Sequence, residues 1–166
     1  MNIYIDIDNI NINNIYFFKP VNNNIIENAV FHRLIYSDSL LAINAIFIKV
    51  DFIISNIEFF YNKYKFNFLL KDNTDIVNKI ISIENKIIDN FLITNERLKN
   101  KEPVYELSNI LLKENFKIYT KNVSALKNEF ILKISGFWET KKKYGLTYKF
   151  IDIIKKINHQ SKNILN

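Results

Sequence analysis

The chain has 166 residues, a formal net charge of +6 and no cysteine, and 48% of its residues are hydrophobic. This length and apolar content predict one folded domain rather than a disordered chain. The lack of cysteine excludes disulfide frameworks, thiolate metal sites and thiol nucleophiles, and it fits a reducing intracellular compartment. Neither a signal peptide nor an apolar run of about 18 residues is visible, so we expect no contact with a membrane.

The charge and the aromatic content are compatible with a polyanionic partner. Basic residues number 23 against 17 acidic ones, and 14% of the residues are aromatic. A mildly basic domain does not require nucleic acid, because many domains of similar charge bind none. The rings are more numerous than one small core requires, so we expect some of them on the surface, where they would stack on bases.

The first third of the chain predicts strands. Isoleucines alternate loosely over residues 2–19, residues 29–37 read AVFHRLIYS, and residues 42–54 form a long apolar run. These patterns are typical of half-buried or buried strands. We predict a single domain whose parts are an N-terminal strand or extension (1–28), a core (29–153) and a basic tail (154–166).

Residues 58–70, EFFYNKYKFNFLL, predict a strand with two different faces. Side chains alternate between the faces of a strand, so one face is mostly apolar and is expected to join the core. The other face alternates rings with lysines and contains Tyr61, Lys63 and Lys65. The alternative is that the rings on this face pack beneath a loop or a helix.

Residues 74–92 have the apolar periodicity of an amphipathic helix. Glu84 falls within the apolar arc of this helix, where a lone carboxylate would be costly. We expect a structural role for Glu84, paired with Arg33 or with a tyrosine hydroxyl, and a catalytic role is the alternative. Pro103 predicts the start of a second, shorter helix over residues 104–114.

Residues 130–153, FILKISGFWETKKKYGLTYKFIDI, predict a β-hairpin that contains both glycines of the chain, its single tryptophan and three consecutive lysines. Placing Trp138 opposite Leu146 and Gly136 opposite Tyr148 pairs each large apolar residue with another or with a glycine. In that register Phe137 lies on the outward face, together with lysines of both strands.

Two predicted strands thus have an outward face that interleaves lysines with rings, and this pattern suits a single-stranded nucleic acid. The lysines would neutralise phosphates and the rings would stack on bases. The simpler alternative is an ordinary hairpin with a solvated face and a solubilising loop. The predicted nucleic-acid-binding residues are Tyr61, Lys63, Lys65, Lys133, Phe137, Lys141, Lys142, Lys143 and Lys149. The residues with a predicted structural role are Arg33, Glu84, Gly136, Trp138 and Gly145.

The sequence offers little material for a catalytic or metal site. With both glycines in the hairpin there is no Gly-rich phosphate loop, and two histidines are few for a metal site or a Ser–His dyad. Asp6 and Asp8, with Glu84, are the only candidates for a metal-dependent nuclease. We therefore predict a protein that is not an enzyme and that has no cofactor and no metal.

The hairpin sequence LKISGFWETKKKYGLTYKFI resembles the C-terminal signature of single-stranded DNA-binding proteins of large double-stranded DNA viruses, including insect viruses. The segments FHRLIYS (31–37) and NKYKFNF (62–68) and the helix with Glu84 precede it in a similar order. Proteins of that kind are similar to phage-type single-strand binders, many of which end in an acidic tail, whereas this chain ends in a basic one. The resemblance covers residues 29–151.

The resemblance implies an OB-fold, a five-stranded Greek-key β-barrel whose strand face and loops bind oligonucleotides. We therefore expect a mainly β, α+β domain with an OB-like barrel and a C-terminal hairpin. It would bind single-stranded DNA without strong sequence preference in viral DNA replication or recombination, inside the host cell. Viral replication proteins and further copies of the chain are additional expected partners. The alternative is a non-enzymatic viral structural or protein-interaction module, in which the exposed rings contact protein.

Overall fold

The computed structural model describes residues 4–119 and 128–153 of the chain. These residues form a mainly β fold with two α helices, in agreement with the predicted α+β class. The predicted basic tail (154–166) and most of the loop predicted at 120–128 lie outside the described residues. Within the described residues, no helix is long and apolar enough to cross a membrane.

The strands are numbered in chain order. They are β1 (Ile5–Asp6), β2 (Ile15–Phe17), β3 (Val21–Asn22), β4 (Val30–Ser37), β5 (Ala42–Asn44), β6 (Ile46–Asp51), β7 (Ile54–Phe60), β8 (Lys63–Phe68), β9 (Glu102–Val104), β10 (Asn115–Tyr119), β11 (Glu129–Glu139) and β12 (Lys143–Asp152). The α helices are α1 (Leu70–Thr94) and α2 (Glu106–Leu111), and short 3-10 helices lie at Ile7–Asn9, Ile12–Asn14 and Glu96–Asn100.

Strand β11 is the centre of the larger sheet. Its first half pairs with β6 and its second half pairs with β4, both in antiparallel orientation. Strand β12 lies along the other edge of β11 as the second arm of the predicted hairpin. The shorter strands extend this sheet, with β1 beside β6, β9 beside β12, and β2, β3 and β5 beside β4. Residues far apart in the chain therefore meet on β11.

The second sheet contains β7, β8 and β10 in antiparallel pairs. Its inner face meets that of the larger sheet in an aromatic core, where the Phe116 ring stacks against Phe66 and Phe150 at centroid distances of 5.3 and 4.3 Å. Hydrogen bonds do not close the sheets into a barrel, because no ladder between the described strands joins β12 to β10. The predicted closed barrel is therefore not confirmed.

Helix α1 begins at Leu70, one turn earlier than predicted. The buried Asn73 lies in this additional turn. Its side-chain oxygen accepts a hydrogen bond from the Ile53 N–H, and its amide donates to the carbonyls of Ile53 and Leu69. These bonds tie the first turn of the helix to the backbone between β6 and β7.

Glu84 is fully buried on α1, but neither Arg33 nor a tyrosine is its partner. Its carboxylate accepts hydrogen bonds from the backbone N–H groups of Leu107 and Ser108, at 3.2 and 2.8 Å, and from the Ser108 hydroxyl. These groups lie in the first turn of α2, where N–H groups have no partner within the helix. Glu84 thus caps a neighbouring helix. The pairing with Arg33 was wrong because Arg33 lies exposed on the outer face of β4.

The β11–β12 hairpin contains a β-bulge between Ile134 and Gly136, and its turn pairs Glu139 with Tyr144, so the predicted register is wrong. Trp138 lies opposite Gly145, one residue away from the predicted partner. An extra residue in one strand reverses the faces on which all following residues lie. Phe137 therefore points inward and is fully buried, whereas Trp138 is only partly buried on the outward face.

The long strand predicted before α1 is a hairpin. Tyr61 and Asn62 form its two-residue turn with φ angles of 48° and 61°, the left-handed values of a type I′ turn. Lys63 and Lys65 share one face of β8, as predicted, and Phe60 lies opposite Lys63 on the neighbouring strand. The ring beside these lysines is therefore Phe60, whereas the alternation predicted Tyr61.

Candidate nucleic-acid interface

The outward face of the three-stranded sheet is cationic and aromatic. Lys65 of β8 lies opposite Lys117 of β10, and Lys63 lies opposite Tyr119, so these side chains share one face. The Lys63 Nζ lies 4.7 Å from the centre of the Tyr119 ring, and the Lys117 Nζ lies 5.7 Å from that of Phe60. Both distances are within the range of cation–π contacts, which hold ammonium groups and rings together on this face.

A groove of about 900 Å³ adjoins this face. It is lined by residues of β10 and α2, of the outer face of β4 and β11, of both faces of β12, and of the segment 21–26. A single carboxylate, that of Glu106, is found among the described residues that line it. The basic residues in the lining are Arg33, Lys113, Lys117 and Lys149, and the rings include Phe31, Tyr119, Trp138 and Tyr148. The groove is therefore positive and rich in rings.

The groove connects the lysines of the two sheets. Lys117 belongs both to its lining and to the outward face of the three-stranded sheet. Lys149 lines the groove and lies opposite Lys133 on β11, and the Lys133 Nζ lies 5.2 Å from the centre of the Phe47 ring. The predicted binding residues that line or adjoin the groove in this way are Lys63, Lys65, Lys133 and Lys149.

Several of these positive charges have no carboxylate partner. Burial, together with the neighbouring Lys149, lowers the pKa of Lys133. Within residues 4–119 and 128–153, no carboxylate forms an ion pair with Lys133, Lys149, Lys117 or Arg33, whereas Lys65 lies 3.8 Å from a Glu58 oxygen. A phosphate would therefore neutralise most of these charges without first breaking an ion pair.

Two rings of the groove lie over the glycines of the hairpin. Trp138 of β11 lies opposite Phe31 of β4. A Cβ added to Gly145 would lie 2.9 Å from the Trp138 ring, and a Cβ added to Gly136 would lie 2.9 Å from the Phe31 ring. The missing side chains leave room for each ring to lie close to the neighbouring strand. In this way the two glycines position two rings in the groove.

The predicted trilysine loop is a tight, exposed turn at the end of the hairpin. Lys141 and Lys142 lie in the turn, and Lys143 begins β12 and forms an ion pair with Glu102 at 3.2 Å. The Thr140 N–H donates to the Lys143 carbonyl at 2.8 Å, which closes the turn. The turn therefore presents two lysines without an ion pair among the described residues and one that is already paired.

An ionic cluster around the buried carboxylate of Glu139 lies at the base of this turn. The Glu139 carboxylate accepts hydrogen bonds from Arg97 at 2.8 Å, from Lys101 at 2.6 Å and from the His32 Nε2 at 2.6 Å. Burial opposes the ionisation of Glu139, but the bonds from Lys101, His32 and Arg97 outweigh it, so the pKa of Glu139 is lowered. Burial also lowers the pKa of His32. With its acceptor sites occupied by fold contacts, Glu139 has a structural role, which the sequence did not reveal.

The structure excludes Phe137 from the candidate interface. Its ring is fully buried and stacks on Phe91 of α1 at a centroid distance of 4.0 Å. A buried ring has no free face for a base, so the prediction that Phe137 lies outward was wrong. Tyr61, by contrast, is 91% exposed at the tip of the β7–β8 turn.

Several charged and aromatic residues of the groove were not predicted to bind nucleic acid: Phe31, Arg33, Lys113, Lys117, Tyr119, Trp138 and Tyr148. Lys117 and Tyr119 flank the buried Ile118 in β10, so the alternation that marked β8 was present here too. Strand β10 has only five residues, and its sequence alone does not show that it pairs with β8. That pairing is what places Lys117 on the same face as Lys65.

The carboxylates of the nuclease alternative do not form a metal site. Asp8 forms an ion pair with Lys79 at 3.1 Å, and Glu84 is bonded to α2. No three His, Asp or Glu side chains in the described part of the chain are placed to bind a metal ion.

Comparisons with models of protein families, with curated proteins and with solved structures found no match for this chain. The similarity of the hairpin to viral single-stranded DNA-binding proteins therefore stays a prediction.

Proposed function

We propose that the protein binds single-stranded DNA in the groove between β10 and β12, without strong sequence preference. The observation that carries this proposal is that lysines from both sheets meet at one groove that also contains exposed and partly exposed rings. Single-strand binders combine a positive groove, which follows the phosphates, with rings on which bases stack. Lys117, Lys149 and Arg33 would neutralise phosphates.

The rings proposed to stack on bases are Trp138 and Phe31, with Tyr61 and Tyr119 on the adjoining face. Each stacked base contributes about 1–3 kcal/mol. We further propose that the two sheets form an OB-like barrel that is open between β10 and β12. The position of α1 after β8 and before the terminal hairpin supports this arrangement. A role in viral DNA replication or recombination is supported by the resemblance of the hairpin alone.

The double variant Lys117→Ala/Lys149→Ala tests the proposal. Removing two phosphate contacts should weaken the binding of oligothymidylate and should make the slope of log K against log salt shallower by about 1.4, because a single strand contributes about 0.7 per neutralised phosphate. Fluorescence anisotropy at several salt concentrations measures both effects.

The matched control is Lys71→Ala/Lys86→Ala, which removes two exposed lysines of α1 outside the groove. It has the same net charge as the groove variant. Equal losses of affinity in the two variants would show that only the overall charge matters, and this would refute the groove as the binding site.

A further inference from the structure

We infer that the single strand leaves the groove across the outer face of β4 and passes over a second pair of rings, Tyr16 and Phe18, which we name the aromatic strip. This inference rests on the proposed function, because it extends the same site. It assigns to the strip the role of a second stacking platform and predicts a binding site longer than the groove.

The aromatic strip is exposed on the same face as the groove. Tyr16 and Phe18 are 57% and 53% exposed, whereas the intervening Phe17 packs against the Phe91 ring in the core. Tyr16 lies opposite Ile35, and the Phe18 N–H donates to the Arg33 carbonyl at 2.9 Å. The strip is therefore attached to the outward side of β4.

Three rows of side chains follow each other along the outer face of β4. The first row contains Phe31 with Trp138, the second contains Arg33 with Phe18, and the third contains Ile35 with Tyr16. Successive outward residues of a strand are about 6.8 Å apart, twice the rise of about 3.4 Å per nucleotide in stacked duplex DNA. A single strand that is unstacked and extended to about twice that rise would meet one ring in each row.

The charges along this path also favour a single strand of DNA. Arg33 lines the groove and stands in the middle row without an ion pair among the described residues, so it would neutralise a phosphate between two stacked bases. Asp38 lies near the third row, in a smaller pocket that Tyr16 and Ile35 also line. Its negative charge would repel a phosphate, so the path should end there.

The test compares Tyr16→Ala/Phe18→Ala with the wild-type chain on oligothymidylates of about 5 and about 16 nucleotides, which both lie within the range of about 4–16 nucleotides for one OB-fold. We expect the variant to bind the long probe about thirtyfold more weakly, since two stacking contacts of about 1 kcal/mol each are lost, and to bind the short probe as the wild type does. At saturation the long probe should quench the Trp138 fluorescence equally in both proteins, because the groove stays occupied.

Two further variants keep the result interpretable. Phe18→Leu retains apolar bulk without a ring and should weaken long-probe binding if stacking is the cause. Ile93→Ala removes an exposed apolar residue of α1 outside the groove and the strip, and it should have no effect. Urea unfolding midpoints show whether each variant is folded.

Unchanged affinity of the double variant for the long probe would overturn the inference while leaving the groove proposal intact. Lost self-association with unchanged DNA affinity, measured by sedimentation, would assign the strip to protein contacts and would also overturn it. If the wild type binds neither probe, the proposed function fails and the inference fails with it.

Discussion

Glu84 shows how one buried charge connects two helices of this fold. It lies on α1, and its carboxylate accepts both backbone and side-chain hydrogen bonds from the start of α2. Burial raises its pKa, although the bonds from Ser108 and Leu107 act in the opposite direction. The amphipathic pattern was sufficient to predict that Glu84 is buried and structural. Its partner was not predictable, because Ser108 is brought to it by the tertiary fold alone.

Removing the carboxylate should destabilise the protein. Glu84→Ala leaves the N–H groups of Leu107 and Ser108 buried without an acceptor, and each unsatisfied buried group costs about 1–3 kcal/mol. We expect a loss of about 2–4 kcal/mol in the free energy of unfolding, measured by urea denaturation near neutral pH.

The conservative variant Glu84→Gln tests the sign of the pH dependence. A carboxyl whose pKa is raised in the folded state binds its proton more tightly there, so its stability contribution is full below the unfolded pKa and is lost as the pH rises through the folded pKa. From about pH 4 to about pH 7, the wild type should therefore lose stability relative to Glu84→Gln. A stability difference that does not change with pH, or that moves the other way, would contradict the raised pKa.

At the scale of elements, two local backbone features decide which rings reach the surface. The bulge at Gly136, where φ is 153°, sends Phe137 into the core and Trp138 to the groove. An isolated glycine within a strand is a known sign of a bulge, so the sequence contained this signal. The turn at Tyr61 and Asn62 was harder to predict, because type I′ turns usually contain glycine and this one does not.

Tyr61 occupies a backbone conformation that disfavours a bulky residue. A left-handed φ of 48° costs about 1 kcal/mol for most L-residues, whereas asparagine adopts it more readily. We expect Tyr61→Asn to raise the free energy of unfolding by about 1 kcal/mol and to weaken oligothymidylate binding about fivefold, the lower end of base stacking. Urea denaturation and anisotropy measure the two effects.

The variant Tyr61→Phe is the matched control, since it keeps the ring and the strained backbone. It should leave both stability and binding close to the wild-type values. If Tyr61→Asn binds as tightly as Tyr61→Phe does, then this ring does not stack on a base.

At the scale of the whole molecule, function depends on how the two sheets are placed. The alternation of residues identified Lys63, Lys65, Lys133 and Lys149 within their own strands. No local pattern could show that β10 lies near β12, because this arrangement comes from the aromatic core between the sheets. The packing of the two sheets brings the described strands β10 and β12 near each other without a hydrogen-bond ladder between them, and this leaves the groove. The predicted lysines and the unpredicted rings Phe31 and Tyr119 thus belong to one surface.

Trp138, the only tryptophan of the chain, lies in the lining of the groove that we propose an unpaired strand occupies. The most direct measurement is the fluorescence of Trp138 during titration with oligothymidylate and with duplex DNA. We expect the single strand to quench the fluorescence and to bind more tightly than the duplex. With about five phosphates contacted, affinity should fall about a hundredfold between about 0.05 and 0.2 M salt. Unchanged Trp138 fluorescence at saturating single strand, or tighter binding of the duplex, would show that a single strand does not occupy the groove.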